Sequence, residues 1–338
     1  AGLVTRRQNG HIAVAGPLVN LALFIIGIPL AAITLGLTDA FNTSGEILVN
    51  GALNWKAMLV FIWTYWLQAN LILGLFNMLP FGPLDGNKVK DWNEKLTKSE
   101  KNLVGNILLG FAQTECAVSD YWTQKVVGWF PKHEIQQMAM MFGSQETIHA
   151  VAYSYLNETL GLEDFEAFLH ESATADRFDN LVSYEGTDPI GIAKSLAVFS
   201  AFAEGVSLYS AFAVLYSFQM RNLLKGIGQQ MKWSVRDESL HSKMGCRLFN
   251  HMCEEKEMLR KACKPHIEDA AMTMVELEEK YIDKMFEMGD LENLKADDLK
   301  QFIRKRTNEK LVELGYTGIF KYDEEKAKSL DWFYHLTG

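Results

Sequence analysis

Charge is scarce at the start of this sequence. Residues 1–88 hold four basic residues (Arg6, Arg7, Lys56, Lys88) and three acids (Asp39, Glu46, Asp85), against 29 basic and 39 acidic residues in the remainder. So sharp a break marks a change of surroundings. The first part reads as an apolar, membrane-like segment and residues 89–338 as a soluble acidic domain. Cysteine is scarce too. Cys116, Cys246, Cys253 and Cys263 form no Cys-x-x-Cys pair, which argues against a disulfide framework and suits buried thiols in a reducing compartment such as the cytoplasm. After Val89 only Pro131, Pro189 and Pro265 remain, and no alternating run demands a sheet. A pI near 5.5 excludes a basic nucleic-acid binder. The start lacks Met and any cleavable-signal layout, so it reads as internal to a longer chain.

What is present begins with two uncharged runs, Ile12–Thr38 of 27 residues and Ala57–Leu84 of 28. Each exceeds the roughly 20 residues that cross a bilayer. The soluble alternative is a buried helical hairpin. The second run ends in Asn77-Met-Leu-Pro80-Phe-Gly-Pro83-Leu-Asp85-Gly86. A carboxylate at the end of such a helix is costly at membrane depth unless it has a function. This stretch, with Ala15-Gly16-Pro17-Leu18-Val19-Asn20, resembles the site-2 family of intramembrane zinc metalloproteases, in which the aspartate is a zinc ligand. The His-Glu-x-x-His helix that completes such a site is missing, and one carboxylate does not make a three-ligand catalytic zinc site. This piece is therefore not expected to work as a protease.

Beyond Val89, apolar residues recur at three- and four-residue spacing. They predict helices over about 98–120, 132–160, 162–180, 189–222, 224–256, 259–286 and 296–314, an all-α class. Thr97-Lys-Ser-Glu100 reads as a capping box, and Pro189 suits the first turn of a helix, where its missing N–H costs little.

Two short motifs carry chemistry: Glu146-Thr-Ile-His149 and Glu238-Ser-Leu-His241. Glu and His three apart share a helical face and can hold one ion together. One such pair is weak in a chain with eight His and 42 acids; two pairs in apolar helices are stronger. Each is preceded by an acid in an apolar stretch, Glu115 by 31 residues and Glu204 by 34. An unpaired carboxylate there is costly. The bland alternative is ion pairing with Lys or Arg, but few are nearby apart from Arg236. The order of carboxylate helix and Glu-x-x-His helix, twice over, is similar to that of ferritin-like di-iron and di-manganese bundles. Four carboxylates and two imidazoles suit iron or manganese better than zinc.

Tyr153 lies one helical turn after His149 among apolar residues, either a core tyrosine or a redox-active one. Residues 89–338 resemble the small, radical-generating subunit of class I ribonucleotide reductase. The matching stretches are Trp92-Asn-Glu-Lys-Leu-Thr, Phe111-Ala-Gln-Thr-Glu115, Glu146-Thr-Ile-His149 with Tyr153, Phe202-Ala-Glu204 and Trp233-Ser-Val-Arg-Asp237-Glu238-Ser-Leu-His241. The resemblance implies an oxidoreductase subunit. Glu115, Glu146 and His149 would bind one metal and Glu204, Glu238 and His241 the other, as Fe/Fe, Mn/Fe or Mn/Mn. Tyr153 would hold a radical formed with O2, and Asp237 would orient His149. The implied partners are a large subunit and a second copy of the chain. The family's radical path uses a tryptophan upstream of the Trp92 region, yet residues 71–91 contain none, and the chain stops at Gly338 before the family's docking tail. Metal binding and radical formation are thus expected, and radical export is not. The two pieces read as an artificial join near Lys88–Trp92. The rival functions are a ferritin-like oxidase or oxygenase, and a membrane protein related to site-2 metalloproteases.

Overall fold

The computed structural model describes residues 6–43, 46, 48, 49, 52–78, 85–162 and 186–337. They fall into two compact units, residues 1–82 and 83–338, each treated by itself. In the first, helix α1 (Arg6–Leu37) packs along helix α2 (Trp55–Met78). The connection holds a two-residue antiparallel pair, β1 (Leu48–Val49) with β2 (Ala52–Leu53), Leu48 opposite Leu53. Gly27 lets the helices meet, because a Cβ there would lie 2.2 Å from the Trp66 ring. Ile25, Ile26, Ile33 and Leu37 face outward. Most of the protease-like stretch, residues 79–84, lies outside the described residues.

The second unit is a helical bundle. It begins with α3 (Asp85–Glu94) and α4 (Lys98–Asp120). The expected capping box starts α4: the Glu100 N–H donates to Thr97 Oγ1, and the Thr97 N–H donates to the Glu100 carboxylate. A π-helical turn (Tyr121–Val126) follows, then α5 (His133–Leu160), which ends on Gly161 with φ 71°. The expected helix over 162–180 lies almost wholly outside the described residues. Asp188 caps α6 (Pro189–Val198), accepting from the N–H groups of Ile190 and Gly191, with Pro189 in the first turn.

The single helix expected over 189–222 is instead three pieces: α6, a π-helical segment (Phe199–Ser207) and α7 (Tyr209–Met220). Residues 189–220 are long and apolar enough to cross a membrane, but their most apolar stretch is wholly buried in the bundle, which explains its composition. Helices α8 (Lys225–Glu255), α9 (Met258–Met285) and α10 (Ala296–Glu313) complete the bundle, with short α11 (Glu324–Lys328) and α12 (Asp331–Thr337) behind. Helix α4 packs on α5, and α8 packs on the second π segment and α7. One hydrophobic core runs through these contacts, with Phe111, Trp122, Phe142, Phe202 and Phe212 inside it. Cys246, Cys253 and Cys263 are buried free thiols.

Candidate metal centre

Four walls of the bundle each turn a carboxylate into the same space. Glu115 comes from α4, Glu146 from α5, Glu204 from the second π segment and Glu238 from α8. His149 and His241 follow one turn after Glu146 and Glu238, as the three-residue spacing requires. All six are buried, none more than 6% exposed.

Their ligand atoms form two overlapping groups: Glu115, Glu146, His149 and Glu238, and Glu146, Glu204, Glu238 and His241. Within each group these atoms lie within 4.8 Å of one another. His149 Nδ1 is 3.1 Å from Glu146 Oε2, 3.2 Å from Glu238 Oε1 and 4.0 Å from Glu115 Oε2. His241 Nδ1 is 2.6 Å from Glu146 Oε1 and 3.7 Å from both Glu204 Oε2 and Glu238 Oε2. Glu146 and Glu238 therefore each turn one oxygen to His149 and the other to His241. Each of these two carboxylates would thus help to hold an ion on either side of it.

The electrostatics call for cations. Among the described residues no Lys or Arg pairs with these carboxylates. Both oxygens of Glu115, both of Glu238 and Glu204 Oε2 are buried without a hydrogen bond. Glu146 Oε1 and His241 Nδ1, though close, also lack hydrogen-bond geometry. Orphaned buried oxygens in a core are costly unless an ion or a proton meets them. With protons alone, burial and then the charges of Glu146 and Glu238 push Glu115 well above the usual carboxylate range. Burial and neighbouring Glu238 push Glu204 up to about 8. Glu238 is lowered: burial and Glu146 oppose its charge, but contacts with Glu204 and the two imidazoles prevail. Burial works against a charged His241, yet Glu146, Glu204 and Glu238 raise it to about 12. His149 is raised in the same way, through Asp237, Glu146 and Glu238. Two divalent cations would replace these protons, and the all-oxygen and imidazole donor set fits iron or manganese.

Around the cluster, His149 Nε2 lies 3.1 Å from Asp237 Oδ2. Tyr153 is completely buried, its ring 6.3 Å from that of His149 and 4.9 Å from that of Phe111, and its hydroxyl donates to Ser234 Oγ at 2.6 Å. Three neighbours escaped the sequence reading. The Trp122 indole N–H donates to Glu204 Oε1 at 2.5 Å, and Gln145 Oε1 lies 2.9 Å from His241 Nε2. Ser234 stands four residues before Glu238, a same-face spacing that could have revealed it. Trp122, seven residues after Glu115, carried a similar signal. Gln145 carried none, because the residue before Glu146 points to a different side of its own helix.

The comparisons with known proteins agree with one another. The family described as "Ribonucleotide reductase, small chain" matches residues 86–327. The chain is 35% identical over 258 residues to "Probable ribonucleoside-diphosphate reductase small subunit 048L" of Invertebrate iridescent virus 3, covering 70% of this chain and 68% of that protein. It is 29% identical over 273 residues to the corresponding subunit 376L of Invertebrate iridescent virus 6, covering 70% and 76%. The crystal structure of dimanganese(II) NrdF from Streptococcus sanguinis superposes with a TM-score of 0.65 at 20% identity, covering 85% of this chain and 99% of that one. The shared fold is the ferritin-like bundle.

Proposed function

This chain belongs to the ribonucleotide reductase small-chain family, and from that premise we propose that Glu115, Glu146, His149, Glu204, Glu238 and His241 bind two metal ions. As the small subunit of a ribonucleoside-diphosphate reductase it is an oxidoreductase component that works with a large subunit. The overlap of the two ligand groups through Glu146 and Glu238 carries the proposal. Fe/Fe, Mn/Fe and Mn/Mn all suit these donors. When bound, the ions supply, with O2, the oxidising power that converts a nearby side chain to a radical.

Tyr153 is that side chain in this reading. Its ring is sealed from water by Phe111 and neighbouring apolar residues, and its hydroxyl is held by Ser234. Burial, then the charge of Glu115, raises its pKa well above the ordinary tyrosine value, so the resting side chain keeps its hydrogen until oxidised. Asp237 accepts the Nε2 hydrogen of His149 and so leaves Nδ1 free to face the ions. A ferritin-like oxidase would keep the six ligands but would have no use for so enclosed a tyrosine.

Homodimerisation belongs to the same proposal. Met141, Ile148, Val151 and Tyr155 put an apolar stripe on the outer side of α5, as a helix partner would require. Residues 1–82 act as a separate apolar unit, a boundary a few residues earlier than the 88/89 break in charge because Asp85–Lys88 already belong to α3 of the bundle, and the outward isoleucines of α1 suit lipid. Residues 89–338 work in the cytoplasm.

The deciding experiment is metal analysis of the full chain with an EPR spectrum after exposure to Fe(II) and O2. Two ions per chain and a tyrosyl signal are expected. Stoichiometric zinc with no signal would refute the proposal.

A further inference from the structure

The two histidines present the same nitrogen to the carboxylates but are held from behind by different chemistry. Each turns Nδ1 inward, His149 to Glu146 and Glu238, His241 to Glu146, Glu204 and Glu238. An imidazole that offers its Nδ1 lone pair carries its hydrogen on Nε2. That hydrogen needs an acceptor, which also fixes the plane of the ring. For His149 the acceptor is the Asp237 carboxylate at 3.1 Å. For His241 it is an amide: Gln145 Oε1 stands 2.9 Å from Nε2. The tautomer settles the orientation of Gln145, because only its carbonyl oxygen, not its NH2, can meet an N–H.

An anionic acceptor makes an imidazole a better electron donor than a neutral amide does. Among the described residues, the rings against His241 are aromatic and uncharged: Phe142, with ring centroids 4.2 Å apart, and Trp122 at 6.2 Å. We propose that Gln145 is the positioning residue for His241 and that the contrast between Gln145 and Asp237 makes the two metal positions unequal, the ion at His149 being held more tightly. The inference rests on the di-metal reading of this cluster. It adds an order of filling: a first divalent ion goes to the His149 side and a second to the His241 side.

The test is calorimetric titration of the full-length, chelator-treated protein with Co(II), with the visible absorption of bound cobalt followed in parallel. The unmodified chain should show two constants. Gln145→Leu should weaken the weaker constant by about 10- to 100-fold, leave the tighter one unchanged and alter only the cobalt bands that develop in the second half of the titration. Gln145→Glu, which keeps the acceptor and adds its charge, should strengthen the weaker constant and narrow the gap. It also keeps the test alive if the leucine variant does not fold. Two constants untouched by either substitution, or an equal fall in both with Gln145→Leu, would overturn the inference. Failure of the unmodified chain to bind two ions would instead refute the di-metal reading.

Discussion

Tyr153 donates its hydroxyl hydrogen to Ser234 from a pocket walled by Phe111 and closed to solvent, so phenylalanine fits there without a void or a clash. Tyr153→Phe should therefore leave metal content unchanged and abolish the tyrosyl EPR signal. A surviving signal would move the radical to Tyr209, which is also buried and packs its ring 3.3 Å from the Arg306 guanidinium. Tyr155, the other tyrosine on α5 within two residues, is 40% exposed and faces away from the cluster's enclosure. The carboxylates are expected to divide by how many ions they serve. Glu115 belongs to one ligand group and Glu238 to both. Glu115→Ala should lose about one ion per chain, whereas Glu238→Ala should weaken both sites, measured as metal per chain after gel filtration.

At the scale of elements, helix α8 lies against the second π segment and α6 so closely that a side chain has no room at Gly245. A Cβ there would meet Ser200 Oγ at 1.9 Å and its Cβ at 2.5 Å. Gly245→Ala must push the helices apart and should destabilise the bundle by about 1–3 kcal/mol in urea unfolding. The cap of α6 is a milder case. Asp188 accepts from two backbone N–H groups at 2.9 and 2.8 Å in an exposed position, and Asp188→Ala should cost about 1 kcal/mol without changing metal binding. The π segment that follows is where periodicity along the chain misleads. A wider turn accommodates an extra residue and rotates the side chains after it relative to an α-helix, and this segment carries Glu204 to the cluster. The α-helical spacing of apolar residues shows a continuous helix there because every face of it is buried.

For the molecule as a whole, the cluster couples folding to pH and to metal. Stripped of metal, the folded protein keeps Glu204 protonated up to about 8, whereas its ordinary value is 4.5. The unfolded chain releases that proton earlier, so stability falls as pH rises from about 4.5 to 8. His241 leans the same way: raised from 6.5 to about 12, its contribution is full below 6.5 and is lost as pH climbs toward 12. Glu238, lowered from 4.5, acts only at the acid end. Tm of the chelator-treated protein should drop between pH 5 and 8 by scanning calorimetry, and excess Mn(II) should raise it most at the upper end, where metal no longer competes with protons. A chelated protein whose Tm rises across that interval would contradict this account.

The sequence by itself determined the helical class, the capping box at Thr97 and the two Glu-x-x-His pairs, because each of these is local: one turn of helix brings Glu146 to His149 and Glu238 to His241. It also placed Tyr153 on the His149 face. Spacing along a single helix cannot say which oxygen of Glu146 meets which imidazole, since that depends on how α5, α8 and the π segment pack together. Only the tertiary structure decided that Glu146 and Glu238 are common to both ligand groups, and that Trp122 holds Glu204. The same packing set Gln145 rather than a carboxylate behind His241, a contact made between helices 96 residues apart in the chain. Local periodicity fixes the direction of a side chain from its own helix axis, whereas distances of 3 Å between helices are set by the side chains packed among them.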